Sequence, residues 1–178
     1  MRKIIFNRKL IIFIIFLVFP TNLSAINIAT INIAYILEKS SSYNNFLDEL
    51  SKKKLELQNS LNIKEKDLTK LKQEIDSSKL IVNEDELNLM ISSYNNKLQI
   101  LDQEVNEINL FFSKNIEINK NTIIKQIISY IEKISIKSNI DIVFTEEQYF
   151  MSSKKIDISN EIITLINDNI IILKIIDE

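Results

Sequence analysis

The amino-acid sequence predicts an α+β protein: a small β body formed by both chain ends, with a long antiparallel α-helical hairpin projecting from it. Two long heptad patterns without Gly or Pro, separated by a short polar segment, predict the hairpin. Short segments dense in β-branched residues near either end predict the body. The order of strand, paired helices, strands and helix brings both chain ends to one pole.

Residues 1–25 are typical of a secretory signal peptide. Four basic residues precede an apolar run at 10–19, and small residues up to Ala25 provide a cleavage site. About ten apolar residues are fewer than the roughly 20 that a membrane-spanning helix needs. We therefore expect export across the inner membrane and a mature chain that begins near Ile26. The alternative is that this segment remains as an uncleaved anchor.

Composition and charge exclude several classes of function. Without the signal peptide, 22 basic residues minus four leave 18 against 24 acidic ones, a net charge of −6. Such a surface predicts no nucleic-acid binding, because counterion release needs clustered cations. The chain contains no Cys, His or Gly, so the usual metal ligands, thiol chemistry and phosphate-binding loops are missing. We predict no enzyme activity, no cofactor, and no catalytic, cofactor-binding or metal-binding residue.

Residues 26–42 form the first part of the predicted body. The segment 26–33 is short and dense in β-branched residues, which predicts a strand. A helical turn is expected at 34–39, and the three Ser residues at 40–42 offer an N-cap for the long helix that follows.

Residues 43–137 are predicted to form the hairpin arm, with its tip near 76–86. Polar residues before Asn83 interrupt the heptads, and Asn83 with Glu86 resembles a capping box that starts the second helix. Lys54 and Lys64 are the two charged residues in the first seam. That seam consists of Tyr43, Leu47, Leu50, Lys54, Leu57, Leu61, Lys64, Leu68, Leu71 and Ile75. The second consists of Leu87, Ile91, Tyr94, Leu98, Leu101, Val105, Ile108 and Phe112. A broader apolar face, expected to pack against the body, follows at Ile123, Ile124, Ile127, Ile128, Ile131 and Ile134.

Residues 138–178 form the second part of the predicted body, with a C-terminal helix and tail. Asn139 stands where a helix often ends in a left-handed residue. Strands are predicted at 140–145 and 149–151, joined by a turn, and Ser159 is predicted to cap the last helix. Its expected buried residues are Ile162, Ile163, Leu165 and Ile166. The apolar tail at 170–176 fits either an added strand or a buried helix end.

Two blocks that flank the hairpin resemble the Skp/OmpH family of periplasmic chaperones. They are INIATINIAYIL at 26–37 and SNIDIVFTEEQYFMSSKKIDISNEIITLI at 138–166. The resemblance implies a homotrimer with three arms around a cavity in the periplasm. It also implies an ATP-independent holdase that keeps unfolded outer-membrane proteins from aggregating. A small sheet with open edges likewise favours oligomerisation.

The arm tip differs from that of the family. Family members carry basic tips, whereas this tip holds Asp76, Glu84, Asp85 and Glu86 against Lys79 alone. A lipopolysaccharide site built on clustered Lys and Arg is therefore not carried over. The alternative function is a membrane-anchored structural coiled-coil protein of the cell envelope.

The heptad seams are expected to pack the two helices of the hairpin together, so client contact is expected from apolar residues off the seams. The alternative interpretation of each is an ordinary exposed apolar side chain. The acidic pair Glu146 and Glu147 lies in a predicted turn and is assigned no catalytic role. The client-contact candidates are Leu55, Ile63, Leu89, Met90, Ile100, Leu110 and Phe111.

Overall fold

A computed structural model describes residues 25–177 of the chain. The predicted signal peptide, apart from Ala25, lies outside the described residues. Strand β1 (Ile28–Ile31) pairs in parallel with β2 (Ile142–Thr145), with Ile28 opposite Ile142 and Ile31 opposite Thr145. A parallel pair needs a long crossover connection, which here is the whole helical hairpin. The predicted fold class is confirmed.

The opposite edge of β1 is occupied by a segment that the sequence did not identify as extended. The N–H of Thr30 donates to the carbonyl of Ile156 at 2.8 Å, and the N–H of Ile158 donates to the carbonyl of Thr30 at 3.0 Å. Thr30 and Asp157 thus form an isolated parallel bridge.

The predicted return strand at 149–151 is wrong. These residues lie in irregular structure, and the side chain of Phe150 is fully exposed at 106%. A hairpin there would have carried the chain back along β2. Instead the chain crosses to the free edge of β1 and enters the last helix directly, which lets Ile162 and Ile166 reach the core.

Helix α1 (Ile33–Lys39) and helix α2 (Ser41–Ser78) meet at Ser40. The completely buried hydroxyl of Ser40 accepts a hydrogen bond from the N–H of Tyr43 at 3.3 Å and so caps α2. The N-cap predicted among residues 40–42 is therefore confirmed. The predicted helical turn at 34–39 is a helix of seven residues.

Helices α2 and α3 (Glu84–Ser138) form the arm. Their 38 and 55 residues correspond to lengths of about 57 and 80 Å at 1.5 Å per residue. Asn83 caps α3 through a 2.9 Å bond from the N–H of Glu86, and Asn139 ends it with φ of 52°. Both caps are confirmed. Helix α2 begins before residue 43 and α3 ends after residue 137. The predicted division of the chain into body and arm at these two residues therefore stays a prediction.

The heptad seams are the least exposed face of the arm. Leu50, Leu68 and Ile75 of α2 are buried, as is Leu101 of α3. The other apolar seam residues are half-buried, except that Ile91 and Leu98 are slightly more exposed. The arm is therefore a two-helix structure held by one narrow seam. Among residues 25–177, no helix is long and apolar enough to cross a membrane.

The core lies at the pole where the chain ends meet. Here the last third of α3 packs against β1, α1 and helix α4 (Ser159–Asp168). The predicted apolar face of α3 is confirmed in part, because Ile128 is exposed and Tyr130 is buried in its place. The buried cluster consists of Ile31, Ile36, Leu37, Ile123, Ile127, Tyr130, Ile134, Ile162 and Ile166.

The predicted cap at Ser159 is wrong. Ser159 is the first residue of α4, and its own N–H donates to the Asp157 carboxylate at 2.9 Å. Its buried hydroxyl instead accepts the N–H of Asn32 at 2.8 Å. A tertiary contact with the start of α1 therefore replaces the local capping interaction. As predicted, α4 buries Ile162 and Ile166.

Candidate functional site

Two clefts lie between α2 and α3. A cleft of about 410 Å³ lies toward the body, and one of about 230 Å³ lies further along the arm. The first is lined by Lys53, Leu57, Ser60, Leu61, Lys64, Glu104, Glu107, Ile108, Phe111 and Asp177. The second is lined by Lys64, Asp67, Leu68, Lys97, Ile100, Leu101 and Glu104.

An ion pair between α2 and α3 lies where the two clefts meet. The ammonium group of Lys64 donates to both carboxylate oxygens of Glu104. Lys64 occupies a seam position, so a charged pair replaces apolar packing there. Such a partly exposed pair contributes about 0–1 kcal/mol. It therefore stabilises the packing of α2 against α3 less than a buried leucine does.

The predicted client-contact residues are spread along the arm. Phe111 lines the larger cleft and Ile100 lines the smaller one. Neither of these two clefts is lined by the other predicted residues, which are Leu55, Ile63, Leu89, Met90 and Leu110. All of these except the half-buried Met90 are exposed. The candidates therefore form scattered apolar points on the outside of the arm, with two at its clefts.

Two asparagines that sequence reasoning missed lie beside the larger cleft. Asn115 and Asn119 of α3 are 1% and 4% exposed. Asn115 hydrogen-bonds the main chain of Ile176, and Asn119 hydrogen-bonds that of Lys174. The only sequence signal was their four-residue spacing, which puts two amides on one face of the helix. In a chain rich in Asn, that spacing did not stand out.

The tail belongs to no helix and no named strand, so neither of the two predicted alternatives, an added strand or a buried helix end, is found. Its alternating burial is the period-two pattern of an extended chain. Ile171, Leu173 and Ile175 are half-buried, whereas Ile170, Ile172 and Ile176 are exposed. Asp177 ends the described segment at the larger cleft, where it lies 3.8 Å from the ammonium nitrogen of Lys53. The tail thus leads from the body toward the cleft between α2 and α3.

Glu146 has a structural role at the body. Its two carboxylate oxygens accept the N–H groups of Ile33 and Ala34 at 2.9 and 3.0 Å. Partial burial would raise the pKa of Glu146, but the hydrogen bonds from Ala34 and Ile33 outweigh it, and the pKa is lowered. Glu146 therefore serves the first turn of α1 as an anionic cap.

The arm tip is acidic and also apolar. Lys79 donates to Asp76 at 2.7 Å, and this hydrogen bond and charge lower the pKa of Asp76. Next to them, Leu80 and Ile81 are almost fully exposed. No group of three or more acidic side chains within residues 25–177 is arranged to hold a metal ion.

Comparison with known proteins identifies the arrangement of body and arm. The family model described as "Outer membrane protein (OmpH-like)" matches residues 27–166. A crystal structure of an OmpH-like candidate outer membrane chaperone from Caulobacter crescentus CB15 superposes with a TM-score of 0.66 at 10% identity. The match covers 82% of this chain and 86% of that one. Among curated protein sequences, none matches this chain.

Proposed function

Because this chain belongs to the OmpH-like family, we propose that it is an ATP-independent holdase chaperone of the periplasm. It binds unfolded outer-membrane proteins in a cavity between helical arms and prevents their aggregation. The observation that carries the proposal is the series of exposed apolar side chains along a two-helix arm. Many weak apolar contacts retain a client without a catalytic group or bound nucleotide.

Client contact is proposed at the apolar points off the seams. Leu55 and Ile63 lie on α2, and Leu89, Ile100 and Leu110 lie on α3. Each is exposed, so each is available to a client without any rearrangement of the arm. Met90, near the tip, and Phe111, toward the body, lie on α3 and are half-buried, so each adds a smaller apolar contact.

The cavity requires several arms, and we propose a homotrimer joined through the body. Support comes from exposed apolar side chains at the body, among them Ile28, Ile142, Phe150 and Met151. The outer edge of β2 has no strand beside it within residues 25–177. Open strand edges and apolar patches on a small sheet favour self-association.

Holdase activity is tested by diluting a urea-unfolded outer-membrane β-barrel protein into a solution of the mature protein and measuring light scattering. We expect an excess of the protein to suppress scattering without ATP. The client-contact proposal predicts that a variant with Ile63→Ser, Leu89→Ser and Leu110→Ser requires at least tenfold more protein for equal suppression. Three smaller apolar contacts at about 0.8 kcal/mol per buried methylene are sufficient for that loss.

A matched control replaces the neighbouring exposed residues Asn62, Asn88 and Asn109 with Ser. It changes the same helices at the same levels but removes no apolar surface, so we expect suppression equal to that of the unaltered protein. Equal loss in both variants would contradict the assignment of client contact. Undiminished aggregation with the unaltered protein would contradict the holdase function itself.

The periplasmic location is proposed from the first 25 residues. The mass of the protein isolated from the periplasm should correspond to a chain that begins at Ile26. A protein that retains residues 1–25 and sediments with the inner membrane would instead support the anchored coiled-coil alternative.

A further inference from the structure

We propose that Asn115 and Asn119 form a binding site for the main chain of an extended polypeptide. In this structure the chain's own tail, residues 170–177, occupies the site. When the tail leaves, an extended apolar segment of an unfolded client takes its place. The identity of that outside occupant rests on the function proposed above, whereas the site itself rests on geometry alone.

Each of the two amides binds both main-chain groups, the N–H and the C=O, of one tail residue. Asn115 accepts the N–H of Ile176 at 2.8 Å and donates to its carbonyl at 3.2 Å. Asn119 accepts the N–H of Lys174 at 3.1 Å and donates to its carbonyl at 3.0 Å. Two side chains therefore reproduce the paired hydrogen bonds that a neighbouring β-strand would provide.

Both amides are held in this orientation by their own helix. The second N–H of each side-chain amide donates to a main-chain carbonyl one turn earlier, from Asn115 to Phe111 at 3.0 Å and from Asn119 to Asn115 at 2.9 Å. These bonds leave one amide hydrogen and the amide oxygen directed at the tail. The site is thus preorganised, which reduces the entropic cost of binding.

The spacing of the asparagines matches that of an extended chain. Four helical residues advance by about 6.0 Å, and two residues of an extended chain advance by about 6.6 Å. Residue 176 pairs with Asn115 and residue 174 with Asn119, so the tail runs antiparallel to α3. A helical peptide, which rises about 3 Å over two residues, does not fit this spacing.

The hydrogen bonds of the site do not depend on the sequence of the bound segment. The asparagines bind N–H and C=O groups, while Ile176 and Lys174 direct their side chains outward. Alternate residues Ile171, Leu173 and Ile175 are half-buried. A ligand therefore needs an extended main chain with apolar residues at every second position, and this is the pattern of transmembrane β-strands.

The tail is placed so that an outside chain is able to replace it. It forms no helix and no named strand. Apart from its bonds to the asparagines, the tail is held by a 3.3 Å bond from the N–H of Ile171 to the Ser42 hydroxyl, by the ion pair of Asp177 with Lys53, and by the half-buried side chains of Ile171, Leu173 and Ile175. Asp177 lines the larger cleft, so a longer bound chain on the same path would continue between α2 and α3.

The test uses full-length mature protein and a fluorescent peptide with the sequence of residues 169–178. Replacing Lys174→Pro and Ile176→Pro removes the two N–H donors and releases the tail. We expect the released-tail variant to bind the peptide at least tenfold more tightly than the unaltered protein does, measured by fluorescence anisotropy. Ile172→Pro is the matched control, since the N–H of Ile172 makes no hydrogen bond within residues 25–177, and it should bind like the unaltered protein.

The recognition of main-chain atoms is tested in the peptide, without further change to the protein. N-methylation at the positions of Lys174 and Ile176 should weaken binding to the released-tail variant at least tenfold. N-methylation at the positions of Leu173 and Ile175 should leave it within threefold. Equal binding of both peptides, or no binding of the unmodified peptide to the released-tail variant, would overturn the proposal.

The asparagines are tested in the released-tail variant by Asn115→Asp and Asn119→Asp. Each carboxylate keeps the size and the acceptor but loses the donor to the bound carbonyl, so at least tenfold weaker binding is expected. Asn109→Asp with Asn121→Asp adds the same charge at exposed positions of α3 and should not weaken binding. Far-UV circular dichroism verifies that each variant retains its helices; if the aspartates unfold it, the methylated peptides still decide.

The two proposals fail separately. If the peptide results are as expected but the unaltered protein does not suppress aggregation, the holdase function fails and the main-chain site stands. If aggregation is suppressed but N-methylation has no effect, the site is overturned and the holdase function stands. A client role for the site also requires that the free peptide compete with unfolded client for the released-tail variant.

Discussion

The N–H groups at the start of α1 receive their acceptors from the far end of the chain. Asn32 donates to Ser159, 127 positions away, and Ile33 and Ala34 donate to Glu146, more than a hundred positions away. The first N–H groups of a helix have no partners inside it. These three contacts therefore tie the two parts of the body together, and the negative charge of Glu146 lies at the favourable end of α1.

We expect Glu146→Gln to lower the free energy of unfolding by about 1 kcal/mol at neutral pH, because one charged acceptor is lost. The pKa of Glu146 is lowered in the folded state, so its contribution is present above the unfolded-state pKa of about 4.3. It is lost as pH falls through the folded-state pKa. The difference between the two proteins in urea unfolding should therefore shrink below about pH 4.

Glu147→Gln provides the control for Glu146. Glu147 is exposed. Its replacement should change the free energy of unfolding by less than about 0.5 kcal/mol, both at neutral pH and below about pH 4. If the two variants showed the same pH dependence, the anionic cap on α1 would not be the cause.

At the scale of elements, the arm depends on a seam with few fully buried residues. Leu68 lies in the outer half of α2 and is 8% exposed, whereas Leu55 on the same helix is 60% exposed. Most helical stability comes from packing of an amphipathic face. The arm beyond the Lys64 ion pair should therefore open more readily than the body, whose cluster of nine buried residues is contiguous.

We expect Leu68→Ala to destabilise the outer arm by about 2–3 kcal/mol, because it leaves a cavity in a narrow seam. Native-state hydrogen exchange should show faster exchange in the arm near its tip and unchanged exchange at Ile127 and Ile162 of the core. Leu55→Ala on the same helix should change exchange little. Equal acceleration in arm and body would show that the arm does not open as a separate unit.

At the scale of the whole molecule, the two-stranded sheet closes a crossover that contains the entire arm. The arm therefore projects from the point where the chain ends meet, and the exposed apolar residues of the body lie at that pole. Phe150, fully exposed, is the largest of them. The adjacent Met151 is also exposed, and an apolar patch on a monomer favours an interface between subunits, as the proposed trimer requires.

Phe150→Ser should weaken assembly at least tenfold without loss of helical structure, because the side chain buries nothing within its own chain. Sedimentation equilibrium of the mature protein gives the measurement. Leu80→Ser, at the arm tip and 98% exposed, removes a comparable apolar group and should leave the assembly unchanged. A concentration-independent monomer for the unaltered protein would contradict the trimer.

The sequence alone determined the arm and its ends. Heptad spacing, the Ser40 and Asn83 caps and the left-handed Asn139 depend on residues within about four positions of one another, as regular helices do. The sequence also contained the blocks that carry the family resemblance, and the family is confirmed over residues 27–166. What the arm binds was not contained in any local pattern, and the seven client-contact residues stay a prediction.

Only the tertiary structure decided how the body is connected. Ser159 caps no helix of its own, and its hydroxyl instead accepts the N–H of Asn32. The apolar residues at 149–151 form no strand, and the free edge of β1 instead pairs with residue 157. Asn115 and Asn119 gain their role from a tail 55 or more positions away. These contacts join residues far apart in the chain, so no local sequence pattern specifies them, and they depend on the long helices placing the two ends side by side.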